Sequence, residues 1–143
     1  MIYNLSHLTR RINKSSINII GLKKVLSLYN GNDWMKYMDD KNKINVEEDY
    51  SKILLPYHLN NMKMYLLKWE QFGESSIHNH GVNGCIFKVL DGSLIEEVYK
   101  PYNLKHLKTY KHDKDHIKYI DNEMGLHKII NNNDNKSYSL HIY

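Results

Sequence analysis

Beyond residue 60 the chain breaks into short strand-like runs separated by turn residues, with no helical periodicity among them, and that pattern restricts it to an all-β sandwich or barrel. Tyr50 to Leu55 comes before the Pro56 break, and Lys63 to Trp69, rich in aromatic and apolar residues, is a good strand candidate after it. Cys85 to Leu90 is another, ending in Asp91-Gly92, a strong hairpin signal, with Leu94 to Tyr99 as the return strand. Ile117 to Ile120 predicts a short strand leading into a turn at Gly125. In the last run Ser139, His141 and Tyr143 share one face, while Tyr138, Leu140 and Ile142 share the other.

The first third reads differently. Leu5, Leu8 and Ile12 recur at helical spacing, and Ile19, Ile20, Leu22, Val25, Leu26 and Tyr29 form a second stripe. Ser15 or Ser16 is placed to cap the second helix, and Asn30-Gly31-Asn32 to stop it. A helical turn is expected over Asp33 to Met38, with Trp34 and Tyr37 in the core. Asp39 to Glu48 is charged and unpatterned, which predicts a solvated loop. The Lys- and His-rich stretch from Pro101 to Lys118 predicts an exposed hairpin or loop, with His106, His112 and His116 outside any metal motif.

One domain of 143 residues, helical over 1–40 and barrel over 50–143, can bury an adequate core without disulfides, and its single cysteine excludes an internal one. The N-terminal residues lack a signal-peptide core and no run reaches the roughly 18 apolar residues of a membrane span, so a cytoplasmic protein without membrane contact is expected. The net charge of +4 could suggest nucleic acid, but the lysines are scattered among acids instead of forming a stripe, so no nucleic-acid partner is expected. Nothing calls for a second copy, and a monomer is the expectation.

The candidate site lies in Gly73-Glu74-Ser75-Ser76-Ile77-His78-Asn79-His80. Two histidines two apart on an extended segment point to the same side, so His78 and His80 can grip one ion. A buried lone cysteine is most often a small apolar core residue. Cys85 lies five positions beyond His80, which on a continuous strand is the opposite face; the Gly81 to Gly84 break lets the parity reset, so Cys85 can face the same cavity.

The spacing of these residues resembles the first motif of the cupin superfamily, with Cys85 where most members carry a glutamate ligand. That substitution, in an S-S-I-H-x-H context preceded by Trp69, resembles the cysteine dioxygenase family. Met124 to Asn131 has the G-x-H-x-x-x-N form of the second cupin motif and supplies His127; Ser139 to Tyr143 matches the family's S-L-H-x-Y strand; the V-L-x-x-Y and W-x-x-Y spacings match its N-terminal helices. The resemblance implies a mainly β fold, a small cupin-type β-barrel (jelly roll) with N-terminal helices on its outside. It implies Fe(2+) on His78, His80 and His127, and oxidation of L-cysteine by O2 to cysteine sulfinic acid, a step of cysteine catabolism. The ligand types alone would equally accept Zn, Ni or Co. Three imidazoles leave one face of a metal open, and without a carboxylate ligand the site stays dicationic, which favours a thiolate. The resemblance further implies Ser139, His141 and Tyr143 directed at the metal, a thioether joining Cys85 to Tyr143, and His141 hydrogen-bonded to the phenol.

An ungapped count back from Trp69 places Tyr50-Ser51-Lys52 where the family carries a Y-x-R segment whose arginine binds the substrate carboxylate. Lys52 keeps the charge but not the two-point grip of a guanidinium, so weaker cysteine binding, or another small thiol such as a mercaptocarboxylate, is expected. The sequence stops at Tyr143, where the family continues with more β structure. A tyrosine there is expected to fray, with its free carboxylate adding negative charge near the iron. Either a minimal enzyme with an open pocket or a degenerate or truncated copy that binds metal without turnover follows from that reading.

Overall fold

The computed structural model describes residues 1–14, 18–39, 43–46 and 49–143, with the backbone alone over 43–46. Its two helices are α1 (Leu5–Lys14) and α2 (Ile19–Ser27), followed by a 3-10 turn over Asp33–Tyr37. Among the described residues nine strands follow: β1 (Lys43–Val46), β2 (Tyr50–Leu54), β3 (Met64–Trp69), β4 (Cys85–Asp91), β5 (Ser93–Tyr99), β6 (His106–Asp113), β7 (Ile117–Ile120), β8 (Leu126–Ile130) and β9 (Ser137–Ile142). They make two antiparallel sheets, one ordered β1-β2-β3-β9-β4-β7 and the other β6-β5-β8. The expected mainly β barrel with leading helices is the fold observed.

Period-two alternation divides the large sheet's side chains between two cores. Met64, Leu66, Ile86, Leu90, Tyr138, Leu140 and Ile142 pack against Leu5, Leu8, Ile12, Leu26 and Trp34 from the helices. Tyr65, Leu67, Trp69, Phe87 and Val89 turn inward to meet Leu94 and Ile129 of the small sheet. Each large apolar side chain withdrawn from water in this way contributes about 1.5–3 kcal/mol, so the helices are attached by their stripes and not by propensity. Lys88, on the helix-facing side of β4, is buried. Its ammonium donates to the carbonyls of Tyr29 (2.6 Å) and Leu26 (3.3 Å), tying the end of α2 to the barrel. Among the described residues, no helix is long and apolar enough to cross a membrane.

Three expectations need correction. Asp91-Gly92 is not a hairpin. β4 pairs with β7 and β9, whereas β5 pairs with β6 and β8, so the turn carries the chain from one sheet to the other. A tight turn has the same local sequence in either case; what selects the corner is crowding at Gly92, where φ is +77° and a Cβ would stand 2.3 Å from the Ser137 hydroxyl. The charged stretch Asp39 to Glu48 contains β1, an edge strand paired with β2, because backbone pairing needs no apolar face on its outer side. The stretch from Pro101 to Lys118 does form a hairpin strand, β6, and most of it is exposed, but His112 is buried. β9 runs between β3 and β4 and is buried on both faces. Ser15 and Ser16 lie outside the described residues; the cap of α2 is Asn18, whose side chain accepts from the amide of Gly21 at 2.8 Å.

Candidate metal centre

The loop from Gly73 to His78 runs antiparallel to β8, held by backbone bonds from Asn131 to Gly73 (2.8 Å), Ser75 to Ile129 (2.9 Å) and His78 to His127 (2.9 Å). That pairing sets His78 against His127. His80 lies beyond any strand, and Asn122 secures its backbone: Oδ1 accepts from the His80 amide at 2.8 Å and Nδ2 donates to its carbonyl at 2.9 Å. The convergence of His78 and His80 therefore comes from a bridge and an asparagine clamp and not from strand alternation alone.

One nitrogen from each of His78, His80 and His127 falls within 4.8 Å of the others. Hydrogen bonding assigns two tautomers. His78 donates through Nδ1 to the Ser76 carbonyl (2.9 Å), and His127 donates through Nδ1 to Glu96 (2.7 Å). Both Nε2 atoms then carry lone pairs, yet they stand 2.9 Å apart. Two acceptors at that separation repel unless a cation lies between them and their neighbours. His80 adds a second sign, since both of its ring nitrogens are buried without a hydrogen-bond partner among the described residues. Burial, then the nearby His127 and His78, lowers the His80 pKa to about 4, so the ring is a neutral donor of electrons at ordinary pH. Three imidazoles that each turn a lone pair to one point fit a divalent metal ion, and among the described residues the candidate ligand group contains no carboxylate or thiolate.

A cavity of about 410 Å³ opens onto this triad. Tyr50, Lys52, Trp69, Cys85, His141 and Tyr143 also line it, so the sequence-predicted residues are brought together. The Lys52 ammonium sits 4.3 Å from the ring centre of Tyr65 and 4.4 Å from that of Tyr143. Burial lowers its pKa, which the Cys85 side chain partly opposes. Ser139 lies deeper. The Trp69 indole donates to its hydroxyl (2.9 Å), the hydroxyl meets His141 Nε2 (2.8 Å), and His141 Nδ1 faces the Cys85 sulfur at 3.6 Å. Because indole can only donate, the Ser139 hydroxyl accepts from Trp69, and the two ring nitrogens of His141 bridge that hydroxyl and the Cys85 sulfur. Burial holds the His141 pKa well below its ordinary value, so this relay is neutral.

This arrangement corrects two expectations. His141 spends both nitrogens on Ser139 and Cys85 instead of bonding the Tyr143 phenol, and the two rings stand edge to face with centres 6.4 Å apart. Tyr143 does not fray: its backbone exchanges two hydrogen bonds with Lys63 (2.8 and 3.1 Å), and its ring stacks on Tyr65 at 5.2 Å. Cys85 is fully enclosed, and burial pushes its thiol pKa far up, so it is neither a thiolate ligand nor a nucleophile in this state.

Sequence reasoning missed Glu96, His112, Asn122 and Tyr65. Glu96 had a visible signal: it occupies the middle of Leu94, Glu96, Val98, the buried face of β5, where an acid is out of place unless something needs it.

An antiparallel barrel that gathers three imidazoles, two of them buried, around one interior point is a cupin. The solved structure of an oxalate oxidase matches it with a TM-score of 0.56 at 16% identity, covering 68% of this chain and 52% of that one. The cupin domain of Schizosaccharomyces pombe Cnp3 does so with a TM-score of 0.54 at 14% identity, covering 69% and 66%. At those identities the likeness shows the fold alone. The family model described as cysteine dioxygenase type I matches residues 3–143, so the chain belongs to the cysteine dioxygenase type I family. Among curated relatives, cysteine dioxygenase type 1 of Danio rerio is 27% identical over 137 residues, covering 90% of this chain and 66% of the relative. That of Rattus norvegicus is 26% identical over 135 residues, covering 89% and 65%. The chain thus spans about two thirds of the length of these relatives.

Proposed function

We propose that the protein is an iron-dependent thiol dioxygenase that converts L-cysteine and O2 to cysteine sulfinic acid. The observation that carries this reading is the triad itself: three imidazoles with unpartnered lone pairs, opening on a cavity that offers one ammonium group to a substrate carboxylate. His78, His80 and His127 would hold Fe(II). What the ion supplies when bound is the one-electron chemistry that lets O2 react with a closed-shell thiolate.

Binding and orientation fall to the chain's own groups. Lys52 attracts the carboxylate, and the faces of Tyr65 and Tyr143 hold its ammonium in place. Trp69, Ser139 and His141 form a buried neutral line that places a ring nitrogen beside the sulfur of Cys85 without adding charge to the cavity. The stoichiometry needs no outside reductant, because sulfur gains both oxygen atoms while O2 is reduced, and the product acid retains the hydrogen of the thiol.

The test is to load the protein with Fe(II) and follow O2 uptake with cysteine beside a mercaptocarboxylate. Uptake coupled to sulfinic acid with cysteine supports the reading. Preference for the mercaptocarboxylate moves the substrate to that class, and iron-loaded protein that consumes no O2 with any thiol leaves only a metal-binding cupin.

Two results are expected within this reading. Lys52→Arg should lower KM for cysteine about fivefold, the effect of one added charge-assisted hydrogen bond worth about 1 kcal/mol. Steady-state kinetics that show an unchanged or raised KM would count against Lys52 as the carboxylate partner. Protein aged in air with Fe(II) and cysteine should also lose the mass of two hydrogens as Cys85 and Tyr143 join through a thioether, O2 being the oxidant. Intact mass spectrometry on Tyr143→Phe should show no such loss, and a wild type that never shows it removes the cross-link but not the oxygenase.

A further inference from the structure

Glu96 and His112 are buried ionisable groups to which the proposed reaction gives no role. Glu96 stands on the inward face of β5 and His112 on the neighbouring β6, both enclosed. The two oxygens of Glu96 are used separately. Oε2 accepts from His127 Nδ1 at 2.7 Å, and Oε1 accepts from His112 Nε2 at 3.0 Å. A carboxylate with one partner can turn about its last torsion, which is broad and roughly two-fold. A second donor on the other oxygen fixes its plane.

His112 is itself held firmly. Its ring meets Phe87 edge-on with centres 5.4 Å apart, lies nearly parallel to Tyr110 at 5.9 Å, and has His116 beside it at 4.6 Å. Its Nδ1 is buried with no hydrogen-bond partner among the described residues, so the position tolerates an unmet acceptor while delivering an N–H to Glu96. An apolar residue there would have left no such unmet group.

We propose that His112, acting through Glu96, is a positioning residue for His127: the pair fixes the Nδ1–H tautomer and ring plane of His127 so that Nε2 faces the metal. This inference rests on the metal reading of the triad. Partners that hold a ligating histidine from behind are typically worth about 10–100-fold in metal affinity.

Cobalt(II) serves as the probe, because its visible spectrum reports ligand geometry independently of turnover. Metal-free wild type, His112→Leu and His112→Gln are titrated with Co(II) against a competing chelator, with folding of each followed by circular dichroism. His112→Leu should bind Co(II) about 10–100-fold more weakly and shift its visible bands, whereas His112→Gln, which can still offer an N–H to Glu96, should stay within about threefold of wild type. A folded His112→Leu with wild-type affinity and spectrum overturns the proposal. So does a folded His112→Gln as weak as the leucine variant, since ring volume and not the donor would then matter. If His112→Leu does not fold, His112→Gln decides by the same two readouts. Wild type that takes up no Co(II) defeats the metal reading and this support together, while wild-type uptake insensitive to His112→Leu defeats the support alone.

Discussion

His80→Ala is expected to abolish useful metal binding while leaving the metal-free protein no less stable. A full set of ligands in a small metal site supplies roughly 10–16 kcal/mol, so one imidazole of three carries about 3–5 kcal/mol, or a loss of about 10²–10⁴ in affinity. Against that, both ring nitrogens of His80 are buried with no hydrogen-bond partner among the described residues. An unmet buried polar group costs about 1–3 kcal/mol, and alanine removes two of them. Because the ring borders the open cavity, its loss leaves no sealed void. The measurement is thermal unfolding with and without Fe(II) or Co(II). Wild type should be stabilised by about 4 kcal/mol at a metal concentration a thousandfold above Kd, and the variant by close to nothing. A variant that still gains stability from metal would show that His80 is not a ligand, and one that is much less stable without metal would show that its nitrogens are satisfied after all.

The second large effect concerns Asn131, which the G-x-H-x-x-x-N pattern singled out without a role. It is fully buried just past the end of β8, opposite the start of the site loop. Its amide donates to the carbonyls of Glu70 (2.9 Å) and Asn135 (2.8 Å), while Oδ1 accepts from the Asn133 amide (3.2 Å), the Asn133 side chain (2.7 Å) and Ser137 (3.1 Å). Asn131→Asp turns two donated bonds into an oxygen facing carbonyl oxygens. The expected loss is about 3 kcal/mol, with a fall in Tm on the order of 10 °C. Denaturant unfolding near neutral pH is the check. Since the same turn precedes the backbone bond from Asn131 to Gly73, metal binding should weaken as well. A change below about 0.5 kcal/mol would mean that water replaces the lost partners without difficulty.

Much of the site was readable from residue spacing. The faces of β9 follow from alternation, which is why residue order alone groups Ser139, His141 and Tyr143, and the break at Gly81 to Gly84 does return Cys85 to the cavity. Gly84 adopts φ +75°, and a Cβ there would stand 2.6 Å from the Tyr119 hydroxyl, so the turn that resets the parity is built for glycine. His112 was unreadable for a specific reason. It lies in a charged stretch whose composition predicts exposure, and its burial follows from β6 lying beside β5, with Glu96 facing inward. Nor did anything local connect Asn122 to His80, 42 positions away.

What the sequence determined by itself was the alternation of faces, the helical stripes and the short-range spacing of the candidate ligands, because side-chain direction along a strand or helix depends only on backbone period. Tertiary structure alone decided which strands pair across the Gly92 corner, which nitrogen of each imidazole is free, and which distant groups hold those rings. Such choices depend on partners brought together by the closing of two sheets, and a hydrogen bond between residues far apart in the chain leaves no mark on either one's neighbours.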